Sequence, residues 1–157
     1  SKGAIIAGIL VATLLNHAAS AWLGVWAAQF IPANWHNWLL GGSFIAVALW
    51  LLLPDKDDSE DTGVLRYGAF AASCMLFFLA EIGDKTQIAT VALAARFDSV
   101  VWVMCGTTVG MMLANAPAVF IGNKLADKLP ISLIHKIGAA IFLVVGISTL
   151  VQHYYFA

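Results

Sequence analysis

The sequence has 157 residues, 61% of them apolar and only 11% charged, where an ordinary soluble domain carries roughly 25% charged residues. A net charge of -1 supplies no basic field of the kind nucleic-acid binding needs, so no nucleic-acid partner is expected. Cys74 and Cys105 fall inside apolar blocks and read as small buried hydrophobes, not as a disulfide or a metal clip.

Five span-length blocks can be drawn, at 3–29, 38–53, 65–95, 99–122 and 131–154. Crossing the roughly 30 Å hydrocarbon layer takes about 20 helical residues, and lipid cannot satisfy an open sheet edge. The expected fold is therefore all-α and integral to a membrane, with the lipid bilayer as its main partner. Ser1 and Lys2 lead straight into the first block, without the short apolar core and cleavage site of a signal peptide. Pro32-Ala33-Asn34, the acidic run from Asp55 to Asp61, Arg96-Phe97-Asp98 and Asp127 to Pro130 mark the breaks. The acidic run reads as a solvated linker between two halves. Alternating the spans gathers Lys2, Lys56, Arg66, Lys124, Lys128 and Lys136 on one face and leaves Arg96 on the other, which makes the first face cytoplasmic. Tyr154, Tyr155 and Phe156, like the six tryptophans, read as interfacial or packing residues.

The chain also matches itself without gaps at an offset of 98 residues. Gly8 falls on Gly106, Leu15 on Leu113, Gly24 on Gly122, Pro32 on Pro130 and Phe44 on Phe142. A duplicated unit of three helices follows. Because three is odd, the second copy is inverted, the common plan of secondary transporters with a midplane site. The expected organisation is 1–54 as the remainder of the first repeat, 55–64 as the acidic cytoplasmic loop and 65–157 as the second repeat, with 65–95 as its motif helix. Subtracting 98 from 81 gives -17, so the counterpart of Glu81 would precede Ser1. Five of six transmembrane helices are then expected here, the first coming from the same gene or from another chain.

The chemistry sits at Glu81-Ile82-Gly83-Asp84-Lys85-Thr86-Gln87, halfway along the third block. A charge at that depth costs at least a few kcal/mol, so three in one stretch call for a function. On a continuous helix Glu81, Asp84 and Lys85 share one face, and Gly83 permits close approach or a local break. Protons and a divalent cation compete for two such carboxylates, the minimum chemistry of metal-for-proton exchange. Lys85 can neutralise the pair when no cation is bound, with Thr86 and Gln87 as supporting oxygens. Oxygen ligands suit hard cations such as Ca2+ and Mn2+. The structural alternative is a salt bridge that only fixes helix packing. Asn115, before Pro117, corresponds to His17 in the repeat register, so a polar group recurs at one depth in both halves. Both are secondary candidates.

Glu81 to Gln87, with the Ala-rich stretch ending Ala94-Ala95-Arg96-Phe97, resembles the signature of the GDT-type Ca2+/Mn2+:H+ exchangers, a family that includes Golgi exchangers of eukaryotes and bacterial manganese exporters. The resemblance implies two such signatures on inverted three-helix repeats, with Glu81 and Asp84 as the metal ligands of the second. It also implies export of a divalent cation, Mn2+ before Ca2+, in exchange for protons, with no covalently bound cofactor and no enzymatic activity. A short cytoplasmic loop points to a bacterial inner membrane. The competing reading is a non-transporting membrane scaffold or subunit.

Overall fold

The computed structural model describes residues 1–53, 66–121 and 130–156. The acidic run 55–61, the expected domain boundaries at 54–65, Lys56, Lys124, Lys128 and the repeat partner Gly122 lie outside the described residues. Among the described residues there are six helices and no strand: α1 (Lys2–Ala28), α2 (Ala33–Leu51), α3 (Ala69–Glu81), α4 (Lys85–Phe97), α5 (Val100–Ile121) and α6 (Ile131–Phe156). Three of them, at Lys2–Ala28, Val100–Ile121 and Ser132–Gln152, are long and apolar enough to cross a membrane. This is an integral membrane protein whose described residues are all-helical in build.

The expected third span is not one helix. It is interrupted at Ile82-Gly83-Asp84, which leaves two 13-residue helices, each about 20 Å long at 1.5 Å per residue. Ile82 and Asp84 are extended and Gly83 sits at φ 76°, a left-handed conformation that glycine adopts without strain. Glu81 and Asp84 therefore do not follow one helical face, as a continuous helix would have required. Asp84 instead occupies the N-cap position of α4, with extended backbone and no capping bond from its side chain.

Helix α1 is the centre of the assembly, touching α3, α4 and α5. Small residues let it approach closely. A Cβ at Gly8 would lie 2.6 Å from the Phe70 carbonyl oxygen of α3, and one at Gly24 would overlap the Val91 carbonyl oxygen of α4. Because Gly8 meets the start of α3 and Gly24 meets α4, the broken pair runs alongside α1 in the same direction. The buried trio Ala21, Ala94 and Val103 closes the α1–α4–α5 junction.

Helix α5 runs antiparallel to α1: the Lys2 ammonium donates to the Phe120 carbonyl at 3.0 Å, while His17 reaches Thr107. Helix α2 packs antiparallel on α6. Gly41 meets Gly146, the rings of Phe44 and Phe142 lie 5.7 Å apart, and Leu51 lies against Gly138. The Arg96 guanidinium, at the end of α4, donates to Thr149 and Gln152 near the end of α6. Lys2 and Arg66 thus lie at one end of the bundle and Arg96 at the other.

Candidate cation-binding site

Glu81 is the last residue of α3 and is buried, at 4% exposure. A carboxylate at that depth needs partners for both oxygens, and α1 supplies them. The Thr13 hydroxyl donates to Oε1 at 3.0 Å and the Asn16 amide to Oε2 at 3.0 Å. Asn16 also donates to the Phe78 carbonyl at 3.1 Å, one of the last carbonyls of α3, which lack helical donors once the helix stops. The break aims the negative end of the α3 dipole at Glu81 and so adds partial negative charge, which favours a cation there.

Thr13, Asn16, His17 and Ser20 are all buried, and their i, i+3, i+4, i+7 spacing makes one polar stripe down α1. Sequence reasoning singled out only His17 from this stripe and missed Thr13 and Asn16 as partners of Glu81. The readable signal was four polar residues at helical spacing inside an otherwise apolar span.

The rest of the heptapeptide serves the break. Gln87, three residues after Asp84, turns its Oε1 back to accept from the N–H of Gly83, the residue before the N-cap. Lys85 is buried, and its ammonium donates to the Leu53 carbonyl at 2.6 Å, beyond the end of α2, and sits 6.0 Å from the Trp50 ring centre. It thus ties the start of α4 to the C-terminal end of α2, a contact not foreseen from the sequence. Thr86 is half-buried, and its carbonyl accepts the Thr90 hydroxyl at 2.7 Å. Asp84 is half-buried at the gap.

His17, with Nδ1 2.8 Å from the Thr107 hydroxyl, connects the stripe to α5. Asn115 is not part of this group; its amide turns back on its own helix, to the Met111 carbonyl at 2.9 Å. Among the described residues, no three His, Cys, Asp or Glu side chains gather closely enough to hold a metal ion. What is assembled is one buried carboxylate, two side-chain donors, a helix C-terminus and a neighbouring imidazole.

A buried carboxylate at the gap of a discontinuous helix, within an apolar helical bundle, defines a class: membrane transporters of small ions. The chain belongs to the GDT1 family, described as divalent cation/proton antiporters, whose model matches residues 1–59 and 69–156. The family consists of transporters, not enzymes. A Vibrio cholerae protein named "Putative manganese exporter" is 51% identical over 146 residues, covering 92% of this chain and 72% of that protein. A GDT1-like protein of Schizosaccharomyces pombe is 32% identical over 84 residues, 54% of this chain and 32% of its own length. GDT1-like protein 4 of Oryza sativa is 40% identical over 80 residues, 51% of this chain and 28% of its own. The chain thus spans about a third of these eukaryotic relatives. No solved structure matches it.

Proposed function

We propose that this protein exports a divalent cation, Mn2+ before Ca2+, from the cytoplasm of a bacterium across its inner membrane in exchange for protons. The observation that carries the reading is Glu81, buried at the break between α3 and α4 and held by Thr13 and Asn16 of α1. Protons and a cation compete for its oxygens, with Asp84 across the gap as the second carboxylate. Membership of a family of divalent cation/proton antiporters supports the exchange, and the Vibrio relative's name favours manganese.

The reading includes an inverted repeat and a second motif-bearing helix. Helix starts support the repeat: α1 and α5 begin at Lys2 and Val100, and α2 and α6 at Ala33 and Ile131, so both pairs differ by 98. So does the antiparallel α2–α6 contact, in which repeat-equivalent Phe44 and Phe142 touch. The symmetric counterpart of the Gly41–Gly146 contact is Ala139 with Ala48, and both are buried. Gly8 packs on α3, whereas a Cβ at its counterpart Gly106 would meet nothing within 4 Å. A second carboxylate motif on that side of α5 would double the negative charge facing the cation.

The test is Mn2+ uptake into everted membrane vesicles carrying the full gene product and an imposed proton gradient. Glu81→Gln and Asp84→Asn should each reduce proton-driven uptake to background. Full activity in either variant would remove that carboxylate from the site, and activity in both would leave the scaffold reading.

A further inference from the structure

His17 has a feature that the exchange reading does not use. It is 1% exposed, and its Nε2 is buried without a hydrogen-bond partner. A buried polar atom of this kind calls for an explanation, such as a bound water or ion. The Thr107 hydroxyl has the carbonyls of Val103 at 2.7 Å and Met104 at 3.3 Å as acceptors within its own helix. With its hydrogen on either of these, the 2.8 Å contact with His17 is donated by Nδ1–H to the hydroxyl oxygen. In that tautomer the neutral ring has its lone pair on Nε2 and is held in place by the donor bond at Nδ1, the arrangement of a metal-ligating histidine.

Position adds to chemistry. His17 lies one helical turn from Thr13 on the same face of α1 and next to Asn16, and those two residues hold Glu81. Thr107 also lines an open cavity of about 590 Å3 between α4 and α5, beside Leu93, Phe97, Trp102, Val103 and Gly106. His17 thus bonds to a residue that lines the cavity and shares a helix face with the two residues that hold the carboxylate.

We propose that His17 is a cargo ligand through Nε2 and that it biases the transporter toward Mn2+ and against Ca2+. Ca2+ is held by oxygen alone, whereas an imidazole nitrogen suits first-row transition metals. Glu81 and the side-chain oxygens of Thr13 and Asn16 serve either ion; the nitrogen serves only one. The inference rests on the reading of Glu81 as the cargo carboxylate.

The experiment uses the full gene product in proteoliposomes, with Mn2+ and Ca2+ transport measured separately for wild type, His17→Gln, Thr107→Val and Glu81→Gln. Purified protein loaded with Mn2+ is also read by electron spin echo, where a directly bound imidazole nitrogen gives a modulation. In His17→Gln the KM for Mn2+ should rise at least about tenfold, the scale at which lost support of a metal site is felt, while the KM for Ca2+ stays put and the nitrogen modulation disappears. Thr107→Val, which keeps the imidazole but frees its orientation, should shift the KM for Mn2+ in the same direction and retain the modulation. An equal rise for both ions, or an unchanged ratio with the modulation intact, would overturn the proposal. If Glu81→Gln is inactive while His17→Gln keeps the wild-type ratio, only the role of His17 falls. If Glu81→Gln still transports, the site reading falls with it.

Discussion

At the scale of single residues, the motif works by stopping a helix. Gly83 at φ 76° has open space where a Cβ would sit, so Gly83→Ala introduces no clash and tests the backbone alone. Forcing a non-glycine residue into the left-handed region costs roughly 1–2 kcal/mol. The variant should melt lower in detergent and lose Mn2+ transport, because continuing the helix would remove the carbonyl end that faces the cation. An alanine variant with wild-type melting and transport would show that the break does not depend on Gly83. This break was legible in the sequence, but through a different cue from the one first used. The i, i+3, i+4 spacing of Glu81, Asp84 and Lys85 suggests a continuous face. Asp84 followed by Gln87 after three residues is a helix-start signature, and α4 starts directly after Asp84. The partnership of Glu81 with Thr13 and Asn16 was not legible, since residues 65 or more positions apart meet only after α1 and α3 have packed.

At the scale of elements, glycines decide how closely the helices lie. Gly24→Ala would drive a methyl into the Val91 carbonyl of α4, whereas a Cβ at Gly42 on α2 meets nothing within 4 Å. Overpacking of this kind costs about 1–3 kcal/mol, while replacing a helical glycine by alanine without a clash gains up to about 1 kcal/mol. Thermal unfolding in detergent should therefore move down for Gly24→Ala and stay level or move up for Gly42→Ala; matching shifts would contradict the close approach. The sequence reading located the blocks at 99–122 and 131–154 because their apolar runs are continuous, and α5 and α6 occupy them. Apolar content alone did not divide 65–95 into two helices, because it does not register a turn held by three residues; the cue for that turn is local, at Gly83, Asp84 and Gln87. Nor did block length show that Lys85 reaches the end of α2, a link that couples the break to a helix more than 30 residues earlier.

At the scale of the whole molecule, the 98-residue offset read from the sequence has a spatial partner in the α2–α6 contact, where Phe44 faces Phe142. On the proposed inverted repeat, a residue that touches its own repeat-mate lies beside the axis that relates the two halves. Were the halves to trade conformations to face the opposite side of the membrane, such a pair would meet the same partner before and after. Its packing then contributes equally to both states and cancels from the balance between them. Phe44→Leu, which removes part of a fully buried ring and leaves unfilled volume behind, should lower the melting temperature while leaving the ratio of KM values on the two membrane faces at its wild-type value. A changed ratio would place the pair off the axis. On the proposed symmetry, the ring contact that looks most like a clasp between α2 and α6 is a bearing, carrying load in both states and favouring neither.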